Sequence, residues 1–139
     1  MTEAITIHQP YASLIASGDK WVENRDWYVS HRGPIWIHAG LQPRYLTKEE
    51  LKAYPTGCVL CLADLVECVE LAKVQEGDLQ ERMKLLGVGV KPDDFLAHEH
   101  TEGPFCCILQ DVRRLRDPCP ARGMQRIWNW EVPDLIEFE

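Results

Sequence analysis

The feature that most constrains the fold of this chain is a mainly apolar segment at 58–69, CVLCLADLVECV. In an extended strand, successive side chains point to opposite faces. Both faces are apolar here, with Leu60 and Leu62 on one and Val59 and Leu65 on the other. A strand of this kind is stable when both of its faces are buried. We therefore predict a long buried strand at this position.

Shorter patterns on either side predict the remaining elements. Strands are predicted at 5–8, 21–27, 34–39 and 105–112. Helices are predicted at 10–18, 47–54 and 79–87, with a further helical turn at 93–98. The first of these helices ends at a glycine, and the second begins with a Thr-x-x-Glu capping box. An arginine-rich loop with two prolines is expected after residue 112, and an element at 124–131 precedes an acidic tail. About five strands with helices at irregular intervals do not suit parallel β-α-β winding, so we predict an α+β fold, a small β-barrel with peripheral helices.

Length and composition are those of one ordinary globular domain. The chain has 139 residues, of which 45% are apolar and 27% charged, and we treat 1–139 as a single domain. Its longest uncharged stretch, 4–18, is interrupted by polar residues, so we expect no membrane span. The amino terminus, Met1-Thr2-Glu3, lacks the positive charge of a secretory signal, which favours a cytoplasmic protein. A nuclear location is also compatible with this feature.

The net charge is -7, from 15 basic and 22 acidic residues. A globally acidic protein repels polyanions at long range, which argues against non-specific coating of DNA. The segment 105–130 differs, because arginines there outnumber aspartates: it contains Arg113, Arg114, Arg116, Arg122 and Arg126 but only Asp111 and Asp117. Two interpretations remain open. The arginines form a basic patch for phosphates, or they lie on a solvated loop and pair with nearby carboxylates.

Cys58 and Cys61 form a C-x-x-C pattern, which can indicate a zinc site. On a strand, however, positions three apart point to opposite faces, so these two thiols cannot bind one ion. The other four cysteines supply no second pair with this spacing. We therefore predict no metal site and no other cofactor. Among the histidines, we expect His8 and His38 in the core and His98 and His100 in a surface loop.

The segment WVENRDW places an ion pair among aromatic side chains. If the segment is a strand, Trp21, Glu23, Arg25 and Trp27 share one face. The tryptophans favour burial, which would draw Glu23 and Arg25 into a partly dry groove. Burying an ion pair costs desolvation free energy, so its presence indicates recognition, catalysis or a structural strut.

Gly18, Lys20, Glu23 and Arg25 together spell G-x-K-x-x-E-x-R. Gly18 would end the preceding helix and set Lys20 at the mouth of the groove, where an ammonium can bind a phosphate or a carboxylate. This spacing resembles the hallmark of the ASCH (activating signal cointegrator homology) domain. The resemblance is extended by QPYASLI at 9–15, RGPIWIHA at 32–39 and RGMQRIW at 122–128, and so covers nearly the whole chain.

The resemblance implies a PUA-like β-barrel whose cleft, between the first helix and the barrel wall, carries the motif residues. It also implies one of three activities: nucleic-acid binding in coactivator-type members, ribonuclease activity in some bacterial members, or hydrolysis of N4-acetylcytidine in a short bacterial branch. That branch has a threonine nucleophile where this chain has Glu23, so the same mechanism is not expected here. A carboxylate at this position can instead act as a general base toward water, with Lys20 stabilising the developing negative charge.

The binding hypothesis uses more of these residues than the catalytic one. It assigns phosphates to Lys20, Arg25, Arg32 and the arginines of the 113–126 loop, which include Arg122. It assigns stacking to Tyr11, Trp27 and Trp128, and base edges to Glu23 and Gln125. Gln9 and Gly18 complete the predicted ligand-binding set. We predict that the ligand is single-stranded RNA or a nucleotide-like molecule. The alternatives are a hydrolase acting on a modified nucleoside or on RNA, with Lys20 and Glu23 catalytic, and a role in binding a protein partner. The sequence does not determine the base or the oligomeric state.

Overall fold

The structure, a computed structural model, describes residues 2–87 and 89–139. Its elements in chain order are β1 (Glu3–Ile7), α1 (Tyr11–Ser17), β2 (Val22–Arg25), β3 (Gly33–Ala39), α2 (Lys48–Leu51), β4 (Cys58–Glu70), α3 (Leu71–Glu76), α4 (Leu79–Leu86), α5 (Pro92–Ala97), β5 (Phe105–Pro120) and β6 (Ile127–Asn129). The strands form a sheet in the order β2-β5-β4-β3-β1-β6. The predicted α+β class is confirmed, with six strands in the described residues where about five were expected. None of the helices in those residues is long and apolar enough to span a membrane.

The chain divides into two compact units, each with its own core. Unit 1 comprises Met1–Lys20, Pro34–Asp64 and Asp111–Glu139, and unit 2 comprises Trp21–Gly33 and Leu65–Gln110. The long strands β4 and β5 therefore each contribute one part to unit 1 and the other part to unit 2.

Unit 1 is built around β1. This strand is parallel to β3, with Ala4 beside Trp36, and antiparallel to β6, with Ala4 beside Trp128. Residues of these strands pack with residues of β4 and β5 and with Trp130 in one apolar cluster: Ala4, Trp36, Val59, Leu62, Leu115, Trp128 and Trp130. The Trp36 and Trp130 rings meet edge to face with their centroids 5.2 Å apart. Because the tryptophans fill this core around Ala4, they position β1.

Two helix boundaries follow the sequence signals. Gly18 ends α1 in the left-handed region at φ +88°, and its N–H donates to the Ile15 carbonyl at 3.0 Å. No other atom lies within 4 Å of a Cβ built on Gly18, so glycine is required there for its backbone conformation alone. The predicted capping box is present: Thr47 Oγ1 accepts from Glu50 N at 3.1 Å, and Glu50 Oε1 accepts from Thr47 N at 2.9 Å.

Unit 2 is built around β2 and the first part of β5. The two strands are antiparallel, with Val22 opposite Ile108 and Glu23 opposite Cys107. One face packs against the helices through a buried cluster: Val22, Val69, Leu71, Val74, Leu86, Phe95, Cys106 and Ile108. Helix α3 was not predicted, because its six residues are too short to show a helical period. β2 ends at Arg25, so Trp27 lies in the bend after the strand and not on the predicted strand face.

The prediction of an arginine-rich loop after residue 112 is wrong, because β5 continues to Pro120. Leu115 is buried and forms a β-bridge with Phe138 near the end of the chain. The Arg116 N–H donates to the Glu137 carbonyl at 2.9 Å. The acidic tail therefore supplies a backbone partner that keeps this proline-containing segment extended.

Candidate functional site

The first part of the motif, Gly18 and Lys20, lies at the end of the first segment of unit 1. The Lys20 N–H donates to the Leu14 carbonyl at 3.0 Å, which folds the segment after Gly18 back onto α1. The Lys20 residue is only 3% exposed, and its Nζ lies 5.3 Å from the centroid of the Tyr11 ring. Tyr11 in turn meets Tyr45 edge to face, with centroids 4.8 Å apart. An ammonium on an aromatic face is stabilised by about 0.5–2 kcal/mol, more when it is desolvated.

The second part of the motif lies on β2 in unit 2. Glu23 and Arg25 are two residues apart and share a face, as predicted, and Arg25 Nη2 lies 2.9 Å from Glu23 Oε2. Their side chains are 11% and 22% exposed, so the pair is largely removed from water. Desolvation offsets much of the attraction in such a pair, and it therefore contributes less to stability than its short distance suggests.

The opposite face of β2 is fixed by Asn24. Its Nδ2 donates to the His100 carbonyl at 2.6 Å, and its Oδ1 accepts from the backbone N–H groups of Glu102 at 3.0 Å and Gly103 at 2.9 Å. One side chain thus holds the 100–103 loop against the strand that carries Glu23. Nothing in the sequence pattern indicated this role.

The two histidines expected in a surface loop are half-buried, so that prediction was only partly right. The His98 ring packs on Trp21, with centroids 4.7 Å apart, and its Nε2 accepts from the Trp21 N–H at 3.4 Å. His100 lies beside His98, with ring centroids 5.5 Å apart. Trp21 is therefore committed to packing within unit 2.

Arg32 holds the turn after β2 to β4 within unit 2. Its Nη1 donates to the carbonyls of Val29 at 2.7 Å and His31 at 2.9 Å, and its Nη2 donates to Tyr28 Oη at 2.9 Å and Glu67 Oε1 at 2.7 Å. Burial acts to lower the pKa of Arg32, but the hydrogen bond and charge of Glu67 outweigh it and the pKa is raised. A phosphate contact by Arg32 stays a prediction, and it would have to compete with these bonds.

Gln9 and Trp128 lie inside unit 1. Gln9 is fully buried; its Oε1 accepts from Ser13 N at 2.9 Å, and its Nε2 donates to Ser13 Oγ and to the Pro55 carbonyl, both at 2.8 Å. These bonds anchor the start of α1. Trp128 is 6% exposed, which leaves little of its ring for stacking on a base. Arg122 and Gln125, by contrast, are exposed.

A chain of hydrogen bonds beside Trp128 was missed by sequence reasoning. Trp128 Nε1 donates to Thr6 Oγ1 at 3.1 Å, Thr6 Oγ1 lies 3.1 Å from His38 Nδ1, and His38 Nε2 lies 2.7 Å from the Ala121 carbonyl. A carbonyl only accepts, so Nε2 carries the proton and Nδ1 accepts from the Thr6 hydroxyl. Burial lowers the pKa of His38, although the bond to Ala121 acts in the other direction. The prediction that His38 is a hydrogen-bonded core histidine is confirmed.

Three arginines of β5 in unit 1 have partners on the tail. Arg116 Nη1 lies 2.7 Å from Glu137 Oε2, and Arg114 Nε lies 3.5 Å from Glu139 Oε2. The Arg113 guanidinium carbon lies 3.9 Å from the centroid of the Phe138 ring. Of the two interpretations left open by the sequence, pairing with carboxylates therefore describes Arg114 and Arg116, on a strand and not on a loop.

The C-x-x-C cysteines are both buried within unit 1. Burial, with a smaller contribution from Cys119, raises the pKa of Cys58, and burial raises the pKa of Cys61 to about 12. Burial therefore disfavours the thiolate, the form that binds metal, at both positions. Within residues 2–87 and 89–139, no three His, Cys, Asp or Glu side chains are grouped so that they could hold a metal ion.

Comparisons with known proteins identify relatives that match most of the chain. A family model described as the ASCH domain matches residues 5–139. The human protein named activating signal cointegrator 1 is 29% identical over 140 residues, and its mouse counterpart is 39% identical, each match covering 89% of this chain and 21% of the relative. The chain thus spans about a fifth of the length of these curated relatives. The crystal structure of ASCH from Zymomonas mobilis is similar with a TM-score of 0.52 at 19% identity, covering 93% of this chain and 87% of that one. This similarity bears on the fold alone, and it confirms the predicted PUA-like class.

Proposed function

The chain belongs to the ASCH domain family, and from this premise we propose that it binds single-stranded RNA or a nucleotide-like ligand through its motif segment, residues 18–25. The family is associated with RNA binding. The observation that carries the proposal is that two charged motif residues are buried, Lys20 at 3% and Glu23 at 8% exposure.

Stability alone does not explain why the charged side chains of Lys20 and Glu23 are buried. Lysine and glutamate are almost never fully buried unless they are paired. The ion pair between Glu23 and Arg25 supplies a partner, but a buried pair of this type contributes little net stability and can even be less favourable than apolar packing. Desolvated charges in specific pairs occur preferentially at functional sites. The pair of Glu23 and Arg25 in unit 2 fits this description.

Each motif side chain suits one part of a nucleotide. The cations of Lys20 and Arg25 suit phosphate oxygens, and the Glu23 carboxylate can accept a hydrogen bond from an exocyclic amine of a base. Tyr11 offers an aromatic ring for stacking, which is worth about 1–3 kcal/mol per base. We assign Gln9, Arg32 and Trp128 to the scaffold, because their polar groups already make bonds inside the protein.

Single-stranded RNA fits these features better than a nucleic-acid duplex does. The net charge of -7 disfavours long-range attraction to a double helix. A base within a stacked duplex cannot reach a buried carboxylate unless it is flipped out, which costs a few kcal/mol, whereas a single-stranded base is already accessible.

The test replaces Glu23 by glutamine, which has almost the same shape but no charge. We expect the affinity for a fluorescein-labelled single-stranded RNA, measured by anisotropy at 50 and 200 mM NaCl, to fall by about 5- to 100-fold, the range for loss of one good base contact. Glu49→Gln is the matched control, because Glu49 also pairs with a cation, Lys52 at 3.0 Å, but on exposed helix α2. Its affinity should equal that of the unmodified protein.

Two results would refute the proposal. One is that the unmodified protein retains neither single-stranded RNA nor mononucleotides at low salt. The other is that Glu23→Gln binds like the control while circular dichroism shows both proteins folded to the same extent.

A hydrolase is the second candidate, favoured by the carboxylate of Glu23, which is shielded from bulk water beside a guanidinium. A general base in such a position can activate a single water against an amide or a phosphodiester. Incubation with N4-acetylcytidine and with RNA, followed by mass spectrometry, separates the two candidates. Product formed by the unmodified protein and lost in Glu23→Gln, with ligand retention unchanged, identifies the enzyme; retained ligand without product identifies the binding protein.

A further inference from the structure

Unit 2 contains a cavity that the proposed function does not use. Its volume is about 690 Å³, within the range of small-molecule sites. Tyr28 and Phe105 form an aromatic part of its wall and meet edge to face, with ring centroids 6.2 Å apart. Val69 and Leu85 add aliphatic surface. The residues that line the cavity are separate from the motif segment, 18–25.

The charged part of the cavity wall is mainly acidic. It consists of four glutamates and two lysines: Glu67, Glu70, Glu76, Glu81, Lys73 and Lys84. Two of the glutamates have cations beside them, since Arg32 Nη2 lies 2.7 Å from Glu67 Oε1 and Lys73 Nζ lies 3.5 Å from Glu70 Oε2. The other two glutamates outnumber the other lysine, so the wall keeps a net negative charge.

The charge of unit 2 as a whole has the same sign. Its two segments, 21–33 and 65–110, contain 11 acidic and 6 basic residues, which gives -5 of the net charge of -7. A cleft lined by an excess of one charge raises the local concentration of oppositely charged ligands. This cavity therefore disfavours phosphate groups and favours cations.

Hydrogen bonds within unit 2 hold the two helices of the wall together. Arg82 connects α4 to the end of α3, because its Nε donates to the Val74 carbonyl at 2.8 Å and its Nη2 donates to the Gln75 carbonyl at 3.0 Å. A Cβ built on Gly77 would lie 3.0 Å from Glu81 Oε2, so this carboxylate lies close against the connection between the helices. A site that is formed before its ligand arrives loses less entropy on binding.

Arg32 shows how groups of this wall hold a cation. Its guanidinium carbon lies 5.6 Å from the centroid of the Tyr28 ring, and its Nη2 donates to Tyr28 Oη at 2.9 Å and to Glu67 Oε1 at 2.7 Å. An aromatic ring attracts a cation electrostatically, and a carboxylate accepts charge-assisted hydrogen bonds from it. A ligand that enters the cavity meets the same two kinds of group.

From the volume of the cavity, its aromatic wall and its negative charge, we propose that it binds a small organic cation, an ammonium or guanidinium group on an apolar or aromatic body. The body packs against Tyr28, Phe105 and Leu85, and the cationic group lies beside Glu76 and Glu81. This site is independent of the proposed binding of RNA, since it uses other residues and selects the opposite charge.

Two aromatic dyes of opposite charge test the selectivity of the cavity. Proflavine is a cation, and 1-anilinonaphthalene-8-sulfonate is an anion that binds apolar surfaces. Each dye is titrated by fluorescence into the whole chain at pH 7, in 50 and 200 mM NaCl and without nucleic acid. We expect proflavine to bind at least about tenfold more tightly at the lower salt concentration, and its affinity to fall about 2- to 4-fold at the higher one, because salt screens exposed charges.

Substitution of the two outnumbering glutamates locates the bound dye. The double variant Glu76→Gln and Glu81→Gln should lower proflavine affinity by about 5- to 30-fold, since a unit charge about 4 Å away contributes about fivefold in water. The control is the double variant Glu49→Gln and Glu131→Gln, which changes the net charge equally at two exposed positions of unit 1. Its affinity should stay within about twofold of that of the unmodified protein.

Tyr28→Leu tests the aromatic wall, because leucine keeps apolar contact but has no ring. Tyr28 is exposed, so the protein should fold normally, and we expect proflavine affinity to fall by about 2- to 5-fold, the range for one cation–π contact. Circular dichroism checks the fold of every variant. The proposal is overturned if proflavine binds no more tightly than the anionic dye. It is equally overturned if the double variant of the cavity binds proflavine as the control variant does, or if Tyr28→Leu leaves the affinity unchanged.

Discussion

Replacing Thr6 by valine tests the hydrogen-bond chain that connects Trp128 to His38 in unit 1. The Thr6 hydroxyl accepts from Trp128 Nε1 at 3.1 Å and donates to His38 Nδ1 at 3.1 Å. Valine has nearly the same shape as threonine but no hydroxyl. The substitution therefore removes both bonds without opening a cavity, and it leaves one donor and one acceptor in the core.

The magnitude follows from the burial of these two groups. Trp128 is 6% exposed and His38 is 2% exposed, so neither lost bond is replaced by bulk water. A buried donor or acceptor without its partner costs about 1–3 kcal/mol. The added methyl group recovers part of this loss, and we expect the free energy of unfolding to fall by about 2–4 kcal/mol. For a chain of this length that corresponds to a fall of about 10 °C in Tm.

Urea unfolding at pH 7.5, followed by tryptophan fluorescence and circular dichroism, measures the change. Thr6→Ser is the control, since it keeps the hydroxyl and loses only a methyl group, and its free energy should fall by about 1 kcal/mol or less. If the valine and serine variants were equally stable, the hydroxyl would contribute nothing to stability and the expected loss of about 2–4 kcal/mol would be refuted.

The same chain predicts a dependence on pH. The pKa of His38 is lowered from its ordinary value of 6.5, so the unfolded chain binds this proton more tightly than the folded protein does. The stabilising contribution of neutral His38 is therefore complete above about pH 6.5 and is lost as the pH falls through the lower pKa of the folded state. Urea unfolding between pH 7.5 and pH 5 should show this loss, and His38→Asn, which cannot titrate, should show a smaller one.

Three further substitutions test other contacts. Gly123→Ala should lower the free energy of unfolding by about 1–3 kcal/mol in urea melts, because the added Cβ would lie 2.6 Å from Thr6 Oγ1. Asn24→Ala should raise hydrogen exchange of the 100–103 backbone and lower stability by about 2–3 kcal/mol, since three hydrogen bonds are lost; unchanged exchange would contradict its role. Glu137→Gln releases the exposed Arg116 and should change the free energy of unfolding by less than about 0.5 kcal/mol. A steeper salt dependence of RNA affinity in this variant would indicate that Arg116 can reach a phosphate.

The parts of the fold that could be predicted are those encoded by local patterns. Strand β4 follows from a twelve-residue segment that carries apolar residues on both faces, and the end of α1 follows from one glycine. The pairing of Glu23 with Arg25 needs only that the segment be extended, because residues two apart then share a face. Each of these features is determined by residues that are close together in the sequence.

The parts that could not be predicted depend on partners far along the chain. Residues 113–120 carry prolines and arginines typical of a loop, yet they are extended because Leu115 pairs with Phe138. Likewise, the sequence did not indicate that the Gln9 amide donates to the carbonyl of Pro55, 46 residues away. Neither partner has a sequence signature, since any residue can supply a backbone carbonyl or a strand edge.

The same distinction explains why the candidate site is better defined by its charges than by its aromatic residues. A buried charge has to be compensated, so the positions of Lys20, Glu23 and Arg25 within six residues already restricted what the segment could do. A tryptophan is stable either in a core or on a ligand, and Trp128 shows that only its packing decides between the two. Substitutions of the motif charges are therefore the sharper test of function, and substitutions of the tryptophans are first of all tests of folding.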